Sequence, residues 1–540
     1  MARNPILPGF NPDPSICRVG DDYYIATSTF EWYPGVQVHH SRDLENWKLA
    51  ARPLDRESLL DLRGVPDSCG VWAPCLSHDG SHFWLIYTVV RRFDGNFKDT
   101  HNYLTRATSI NGPWEDPVYL NSSGFDPSLF HDADGRRWLL NMVWDHRPDR
   151  SFFGGIVLQE YSERHRSLIG QRRMIFAGSD TGYTEGPHLY RHGEYYYLLT
   201  AEGGTGYGHA VTLARSKTLE GPYEVDPAHH MLTARDHAGH PLQRAGHADI
   251  VETADGRFFM AHLCSRPLPG TRRSPMGRET ALQQIELDAA GWFRLTGGGM
   301  LPAETVGEPD AAPAASEHHD FSTGKLPDCL QWLRTPYPES WLRFNDRQGG
   351  LTLVGRESLG SWFEQALVAR RQTAWAFEAS TRVDFEPEDF QQAAGLVCYY
   401  NAHKYHYLYV SHDPQLGRHV GIMSCEGDLT LASLFPMQDA RIALPAQGAV
   451  ALKVTVDNAS LQFHVQVDGQ WRLAGPRLDA SLLSDEAGKG EGANFTGAFV
   501  GLCCQDLTGR GQRAHFRWFD YSEMPFAAAP TPDQEQSSAG

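Results

Sequence analysis

The chain has 540 residues, of which 41% are hydrophobic and 21% charged, and it carries 14 Trp, 21 Tyr and 26 Phe. This composition is typical of a globular protein with large cores, and the length indicates two or three domains at roughly 100–200 residues per domain. The formal net charge is −18, which disfavours nucleic acid or anionic lipid as a partner and favours a neutral polymer or a small neutral substrate.

The N-terminal residues 1–8 lack the apolar segment of a secretory signal. No stretch approaches the roughly 20 apolar residues of a membrane span. We therefore predict a cytoplasmic protein with no membrane partner. The nine cysteines have no regular spacing, which predicts reduced, mostly buried thiols rather than a disulfide framework.

An internal repeat occupies the first three hundred residues. Each copy has a polar turn followed by bulky aromatic and aliphatic residues, a pattern typical of a hairpin that enters an apolar strand. Its aromatic anchors, spaced by 60, 54, 58 and 63 residues, are Tyr24, Trp84, Trp138, Tyr196 and Phe259. This period predicts one four-stranded blade per copy, and five blades around an axis form a β-propeller with a central channel. A β-sandwich would give no reason for such a repeat.

Three further segments follow the repeats. Residues 301–316 are rich in Pro and Ala and predict a linker. Residues 317–525 return to alternating strands, which predicts a jelly-roll or concanavalin-like β-sandwich. Residues 526–540 are small and polar and predict a disordered tail. The expected fold class is therefore all-β, with a propeller as the catalytic domain at residues 1–300.

Three carboxylates stand at nearly the same distance from the anchors. Asp13 and Glu185 each lie 11 residues before an anchor, and Asp126, His247 and Trp72 each lie 12 residues before one. Counting back this far reaches the innermost strand of each blade, so we expect these five side chains to meet at one mouth of the channel. A structural turn explains any single acid beside a proline, whereas three acids at equivalent positions in apolar runs predict a site.

Paired carboxylic acids are the groups that glycoside hydrolysis requires. One protonated acid assists departure of the leaving oxygen, and one ionised base activates water. A third carboxylate raises the pKa of the acid by like-charge repulsion. Aromatic side chains beside them would stack on a sugar ring, so the residues predict a glycoside hydrolase.

Several motifs resemble glycoside hydrolase family 43, in particular its long β-xylosidase branch, which joins a five-bladed propeller to a C-terminal β-sandwich. The resemblance extends from about residue 4 to about residue 521. The motifs that carry it are GFNPDPSI at 9–16, STFEWYPGV at 28–36, VWAP at 71–74, GFD at 124–126, YTEGPHL at 183–189, GHA at 246–248, GRET at 277–280 and TGAFVG at 496–501.

The resemblance implies a role for each carboxylate. Asp13 is expected to be the general base, Glu185 the general acid, and Asp126 the residue that orients Glu185 and tunes its pKa. Such an enzyme inverts the anomeric configuration, with base and acid roughly 6.5–9.5 Å apart. It would release D-xylose from the non-reducing ends of β-1,4-xylooligosaccharides, with side activity on α-L-arabinofuranosides.

The resemblance also implies the substrate-binding residues and an exo mode of action. Trp72 and Trp144 match walls of the xylose pocket, with propeller core as the alternative for both. Phe495 matches a residue that the sandwich inserts across the pocket mouth, although the family more often has a second Phe where this chain has Asn494. Either position is therefore open as the one that closes the pocket. The full expected set is Phe30, Trp72, Trp144, His247, Arg278 and Phe495.

His247 leaves three interpretations open. It lies under the sugar, or helps to hold a channel cation such as calcium, or is a buried structural histidine. We expect that no cofactor is required and that there is no other metal site. The resemblance implies a homodimer or homotetramer acting on small xylooligosaccharides. The alternatives are an α-L-arabinofuranosidase as the main activity, a retaining fructan-cleaving propeller and a non-catalytic carbohydrate-binding propeller.

Overall fold

The computed structural model describes five stretches of the chain, which are residues 2–307, 314–344, 349–427, 441–488 and 494–524. Within these stretches the regular structure is almost entirely β-strand, with short 3₁₀ helices at Pro338–Ser340 and Ala480–Leu482. The predicted disordered tail at 526–540 lies outside the described residues. The all-β fold class is confirmed.

The N-terminal half forms five antiparallel sheets of four strands each. In chain order the strands are β1 (Ser15–Val19), β2 (Asp22–Thr27), β3 (Trp32–Tyr33), β4 (Gln37–Ser41) and β5 (Lys48–Ala51); β6 (Gly70–His78), β7 (Phe83–Arg92), β8 (Asp99–Ala107) and β9 (Val118–Asn121); β10 (Ser128–His131), β11 (Arg137–Trp144), β12 (Phe153–Ser162) and β13 (Ser167–Phe176); β14 (Glu185–His192), β15 (Tyr195–Glu202), β16 (Ala210–Ser216) and β17 (Glu224–Thr233); β18 (Gln243–Glu252), β19 (Phe258–Ser265), β20 (Glu279–Leu287) and β21 (Phe293–Leu295). Each group is one blade, except that β3 lies outside its blade.

The first strands of the five blades form a closed ring. Strand β1 lies against β6, β6 against β10, β10 against β14, β14 against β18, and β18 returns to β1. The five aromatic anchors of the sequence repeat lie on the second strands and pair with the first, as Tyr24 does with Cys17 and Trp138 with Phe130. The predicted five-bladed β-propeller is therefore confirmed, and β1, β6, β10, β14 and β18 line its channel.

The N-terminal segment forms hydrogen bonds with the last blade and with the residues that follow it. The side chain of Asn4 donates to the carbonyl oxygens of Leu282 and Ala303, both at 2.8 Å. Its backbone N–H donates to Glu304, and the N–H of Val306 donates to Ala2. Residues 304–306, which the composition assigned to the linker, thus bind the N-terminal segment. The domain boundaries stay predictions.

The C-terminal half is a β-sandwich of two eight-stranded sheets. Its strands are β22 (Ser316–His319), β23 (Gln331–Leu333), β24 (Leu342–Phe344), β25 (Leu351–Val354), β26 (Ala366–Arg371), β27 (Ala376–Asp384), β28 (Gln392–Asn401), β29 (Lys404–Asp413), β30 (Gly417–Glu426), β31 (Ile442–Ala443), β32 (Val450–Asp457), β33 (Ser460–Val467), β34 (Gln470–Asp479), β35 (Phe499–Asp506) and β36 (Arg513–Glu523). One sheet has the order β24-β25-β36-β27-β32-β33-β34, with β22 paired to β36, and the other β3-β23-β26-β35-β28-β29-β30-β31. Apolar side chains from both sheets, such as Phe377 and Leu396, form the core between them.

One propeller strand belongs to a sandwich sheet. In β3, Trp32 pairs with Leu333 and Tyr33 with Trp332. The indole of Trp32 stacks on the ring of Phe499, with centroids 3.7 Å apart and planes at 15°. Because the two domains share a sheet, the segment just before β35 is held against the channel mouth.

Two further observations bear on the sequence predictions. Seven of the nine cysteines are buried, which confirms that these thiols are mostly buried. Across the described stretches, none of the helices has the length and apolar character needed to span a lipid bilayer.

Candidate active site

The side chains at the starts of the innermost strands meet, as the repeat predicts. Asp13 lies two residues before β1, Asp126 two residues before β10, and Glu185 begins β14. Together with His247 from β18 and Trp72 from β6, they line one cavity of about 330 Å³. All nine residues expected from the sequence line this cavity, since Phe30, Trp144, Arg278 and Phe495 complete its wall.

Several of these residues have an uncommon backbone conformation. The φ angles are 55° at Asp13, 53° at Asp126, 41° at His247 and 52° at Phe30. Residues other than glycine adopt positive φ only rarely, and each instance costs about 1–3 kcal/mol that the surrounding structure must offset. Such strain clusters at functional sites, so its concentration at one cavity supports a functional role.

Asp13 is held in its ionised form. Its carboxylate is buried and accepts a hydrogen bond from Ser28 Oγ at 2.6 Å and one from Arg278 Nη1 at 3.1 Å. Burial favours the neutral acid, but the charge of Arg278 and the hydrogen bond from the Ser28 hydroxyl hold the pKa of Asp13 below its ordinary value. A carboxylate that stays ionised at neutral pH can act as a base.

Glu185 and Asp126 have the opposite tendency. Burial, followed by the charges of Asp126 and Asp13, raises the pKa of Glu185 well above its ordinary value. Burial and the charge of Asp13 raise the pKa of Asp126 to about 8, although the backbone N–H of Gly186 donates to its Oδ2 at 3.0 Å. Gly186 adopts a φ of 57° and a Cβ there would approach the His247 ring to 3.1 Å, so this position favours glycine. The cavity thus holds an acid and a base at neutral pH.

His247 is a buried, neutral side chain that lines the cavity. Burial lowers its pKa to about 4. Its Nδ1 lies 3.9 Å from Asp13 Oδ1 and 4.0 Å from Asp126 Oδ2. Calcium requires roughly six to eight oxygen ligands, whereas this arrangement offers few, and Asp13 already faces the guanidinium of Arg278. The donors present do not fit calcium as they stand, and the channel cation stays a prediction from the resemblance.

Aromatic rings form the walls of the cavity. Trp72 packs against Phe30 and Phe125, with ring centroids 5.8 and 5.3 Å apart. Trp144 stacks on Phe152 at 5.1 Å, with planes at 6°. Both tryptophans are only partly buried and line the cavity, so they belong to the pocket as well as to the propeller packing.

Phe495, rather than Asn494, reaches the pocket from the sandwich. Its ring lies 5.6 Å from that of Trp72, and its backbone carbonyl accepts from Arg278 Nη2 at 3.0 Å. Its N–H donates to Ser68 Oγ at 3.1 Å. Asn494 is buried inside the sandwich, where its side chain contacts Asn401.

Several cavity residues were not singled out from the sequence. Lys98 lies 4.2 Å over the ring of Trp144, and burial lowers its pKa. Thr205 accepts from Arg278 Nη1 at 3.0 Å. Phe125 lies in the GFD motif and Tyr183 in the YTEGPHL motif, so both could have been predicted from the sequence. Lys98 and Thr205 lie on loops that do not belong to the repeat. The remaining lining residues are Phe93, Phe153 and Gly204.

A larger cavity of about 780 Å³ lies on the sandwich, away from the carboxylates. Among the described residues that line it, Asp413 is the single carboxylic acid. It therefore lacks the paired acids that glycoside hydrolysis needs, and we assign the chemistry to the smaller cavity.

Comparison with known families agrees with this geometry. Residues 2–293 match the model of glycosyl hydrolases family 43, and residues 318–522 match the β-xylosidase C-terminal concanavalin A-like domain. The chain belongs to glycosyl hydrolase family 43. As a family 43 protein it is a glycosidase, and the resemblance drawn from its motifs is confirmed.

Relatives of this family 43 chain match it from end to end. Xylosidase/arabinosidase 43B of Humicola insolens is 53% identical over 528 residues, covering 96% of this chain and 97% of that protein. A β-xylosidase of Bacillus subtilis (strain 168) is 48% identical, with 96% and 99% covered. The crystal structure of a xylan β-1,4-xylosidase from Bacillus halodurans C-125 superposes with a TM-score of 0.92 at 47% identity, covering 97% of this chain and 100% of that one.

Proposed function

We propose that this glycosidase releases D-xylose from the non-reducing ends of β-1,4-xylooligosaccharides with inversion of configuration. The observation that carries the proposal is the opposite electrostatic bias of two carboxyl groups in one small cavity. The pKa of Asp13 is lowered and that of Glu185 is raised. Groups biased in this way supply a base and an acid at the same pH.

In the proposed reaction each carboxyl group performs one step. Glu185 donates its proton to the glycosidic oxygen as the bond to the anomeric carbon breaks. Asp13 accepts a proton from a water molecule that attacks the opposite face of that carbon. Burial and the ionised Asp13 keep Glu185 protonated, and Asp126 is held in the same cavity by the N–H of Gly186. Arg278 keeps Asp13 ionised between turnovers.

The exo mode of action is supported by the wall that Phe495 forms. Its ring contacts Phe30 and Trp72 at centroid distances of 6.3 and 5.6 Å. These contacts close the cavity on the sandwich side. A volume of about 330 Å³ is near the lower end of ligand pockets, at about 300 Å³, which suits a terminal sugar better than an internal segment of a polymer.

Proton NMR of xylobiose hydrolysis tests the proposal directly. Wild type should release α-xylose first, and Asp13→Ala should release none, while Asp94→Ala, which alters an exposed carboxylate, should behave as wild type. Early β-xylose would contradict the inverting mechanism. An active Asp13→Ala variant would contradict the role of Asp13.

An α-L-arabinofuranosidase activity is the second candidate. The name of the Humicola insolens relative, xylosidase/arabinosidase 43B, favours it, and the two pentoses present similar hydroxyl groups to one pocket. Turnover of nitrophenyl β-D-xyloside and nitrophenyl α-L-arabinofuranoside should be compared. Faster turnover of the arabinoside would reverse the order of the two activities.

We also propose that the enzyme works in the cytoplasm without a cofactor and that, as the resemblance implies, it forms a homodimer or homotetramer. Activity that persists after exhaustive chelation supports the first part. Sedimentation velocity measures the second, and a single monomeric species at working concentration would contradict it. Fractionation of the source cells tests the location.

A further inference from the structure

Three potential metal ligands meet where the chain enters the sandwich. Glu317 and His319 lie two residues apart on β22, so both side chains point to the same face of the strand. Both are half-buried, whereas the alternating Ser316 and His318 are exposed. Cys329 lies two residues before β23, on the other sheet of the sandwich. The three residues therefore span the two sheets.

The donor atoms of these three side chains lie close together. His319 Nε2 lies 3.2 Å from Glu317 Oε2 and 3.3 Å from Cys329 Sγ. All three donor atoms lie within 4.8 Å of one another. Among the described residues, this is the one group of His, Cys, Asp and Glu side chains that meets this condition.

The arrangement differs from that of a catalytic relay. In a relay the nucleophile and the carboxylate contact opposite nitrogens of the imidazole. Here both the thiol and the carboxylate approach the same atom, Nε2 of His319. Convergence of sulfur, nitrogen and oxygen on one point is the requirement for metal coordination.

We infer that Glu317, His319 and Cys329 bind one zinc ion, with water as the fourth ligand. Zinc accepts sulfur, nitrogen and oxygen ligands in a tetrahedron, at about 2.3 Å for sulfur and about 2.0–2.2 Å for nitrogen and oxygen. Neighbouring donors in such a tetrahedron are roughly 3.3–3.6 Å apart. The distances from His319 Nε2 to Glu317 Oε2 and to Cys329 Sγ, 3.2 and 3.3 Å, are close to this. A thiolate ligand disfavours magnesium and calcium, which take oxygen ligands.

The neighbours of the site orient the carboxylate. Arg370 Nη1 lies 3.3 Å from Oε1 of Glu317, the oxygen that does not face His319. The guanidinium of Arg370 itself lies 3.5 Å over the ring of Tyr521. A partner of this kind fixes a metal ligand in place and leaves Oε2 of Glu317 available.

Binding at this site is coupled to loss of a proton. Zinc binds cysteine as the thiolate, so the proton of the Cys329 thiol leaves to the solvent when the metal binds. Zinc affinity should accordingly fall as the pH is lowered.

The position of the site suggests what occupancy does. Cys329 leads into β23, the strand that pairs with β3 of the propeller. A zinc ion would link β22 to this strand and so fix the junction between the two domains. A ligand that binds only the folded state raises its stability, so zinc should raise the Tm of the full-length protein.

Cobalt(II) substitution of the full-length protein tests the inference. The wild type should bind one equivalent of cobalt with a thiolate-to-cobalt charge-transfer band in the near ultraviolet, and zinc should displace it. Cys329→Ser should lose the band, and His319→Gln should weaken cobalt binding at least tenfold. Cys17→Ser, which alters the other half-buried cysteine, is the matched control and should keep both.

Each outcome decides the question. Absence of the band in wild type would overturn the inference, and so would a band that survives Cys329→Ser. Cobalt bound in the active-site cavity is distinguished by its spectrum, because the described residues that line that cavity include no cysteine. The test measures metal binding alone, so its result does not depend on xyloside turnover.

Discussion

Replacing Arg278 by methionine should move the acid limb of the pH profile of kcat/KM to higher pH. The guanidinium lies 3.1 Å from Asp13 Oδ1, and both side chains are about 5% exposed. At this separation and an effective dielectric constant of about 20, Coulomb's law gives about 5 kcal/mol, equivalent to roughly 4 pKa units. Water that enters the vacated space weakens this effect, so we expect a shift of about 1–3 units.

The sign of the shift follows from the role of Asp13. The base works only when ionised, so activity is lost as the pH falls through its pKa. Without Arg278 that pKa rises, and activity is lost at a higher pH. The acid limb of kcat/KM reports groups of the free enzyme, so initial rates should be measured from about pH 3 to 9.

A matched control separates this effect from general loss of stability. Arg294→Met removes a partly buried arginine whose Nη2 donates to buried Asp226 at 2.9 Å, outside the cavity. It should lower the Tm without moving the acid limb. An acid limb that stays in place in a folded Arg278→Met variant would refute the assignment of Asp13 as the base that Arg278 keeps ionised.

Three further changes test other parts of the site. Ser28→Ala removes the 2.6 Å hydrogen bond to Asp13 and should move the same acid limb upward by about 1–2 units, since a hydrogen bond to a charged group is worth about 1.5–3 kcal/mol. Glu185→Ala should slow xylobiose hydrolysis by about 10²–10⁴-fold, the usual contribution of a general acid. The same variant should slow hydrolysis of a dinitrophenyl xyloside far less, because that leaving group departs without a proton. Equal losses on both substrates would argue against Glu185 as the general acid. Phe495→Ala should raise KM about two- to tenfold with kcat nearly unchanged, since an aromatic contact is worth about 0.5–1.5 kcal/mol. A loss confined to kcat would contradict a binding role.

Glu31 provides a test of pH-dependent stability. It is fully buried beside the pocket residue Phe30, and burial, with the charge of Asp67, raises its pKa to about 8 from an ordinary value of 4.5. Between about pH 4.5 and pH 8 the folded state therefore keeps a proton that the unfolded state releases. The free energy of unfolding falls as the pH rises through this window. Glu31→Gln should raise the Tm at pH 9 more than at pH 5. Equal changes at both pH values would show that Glu31 does not titrate in this window.

The propeller and its acids could be predicted because both follow from a repeat. A hairpin has a fixed geometry, so a constant offset from the anchor aromatic reaches the same strand in every blade. Asp13, Asp126 and Glu185 keep that offset and meet in space. The repeat thus carried the three-dimensional information that a list of scattered acids lacks.

The rest of the pocket could not be predicted in this way. Lys98 and Thr205 lie on loops whose length and path do not repeat, so nothing in their spacing relates them to the carboxylates. The sequence also did not show that the motif around Phe30 contributes to both domains. Phe30 lines the cavity while Trp32, two residues on, pairs with a sandwich strand.

The sequence by itself determined the number of blades, the order of the two domains and the identity of the three acids, because these depend on periodicity and on local motifs. Only the tertiary structure decided which acid is ionised. The pKa of Asp13 depends on Arg278, 265 residues away, and that of Glu185 depends on burial and on Asp126. Electrostatic energy varies with distance in space and with exclusion of water, and the order of residues along a chain specifies neither until the chain is folded.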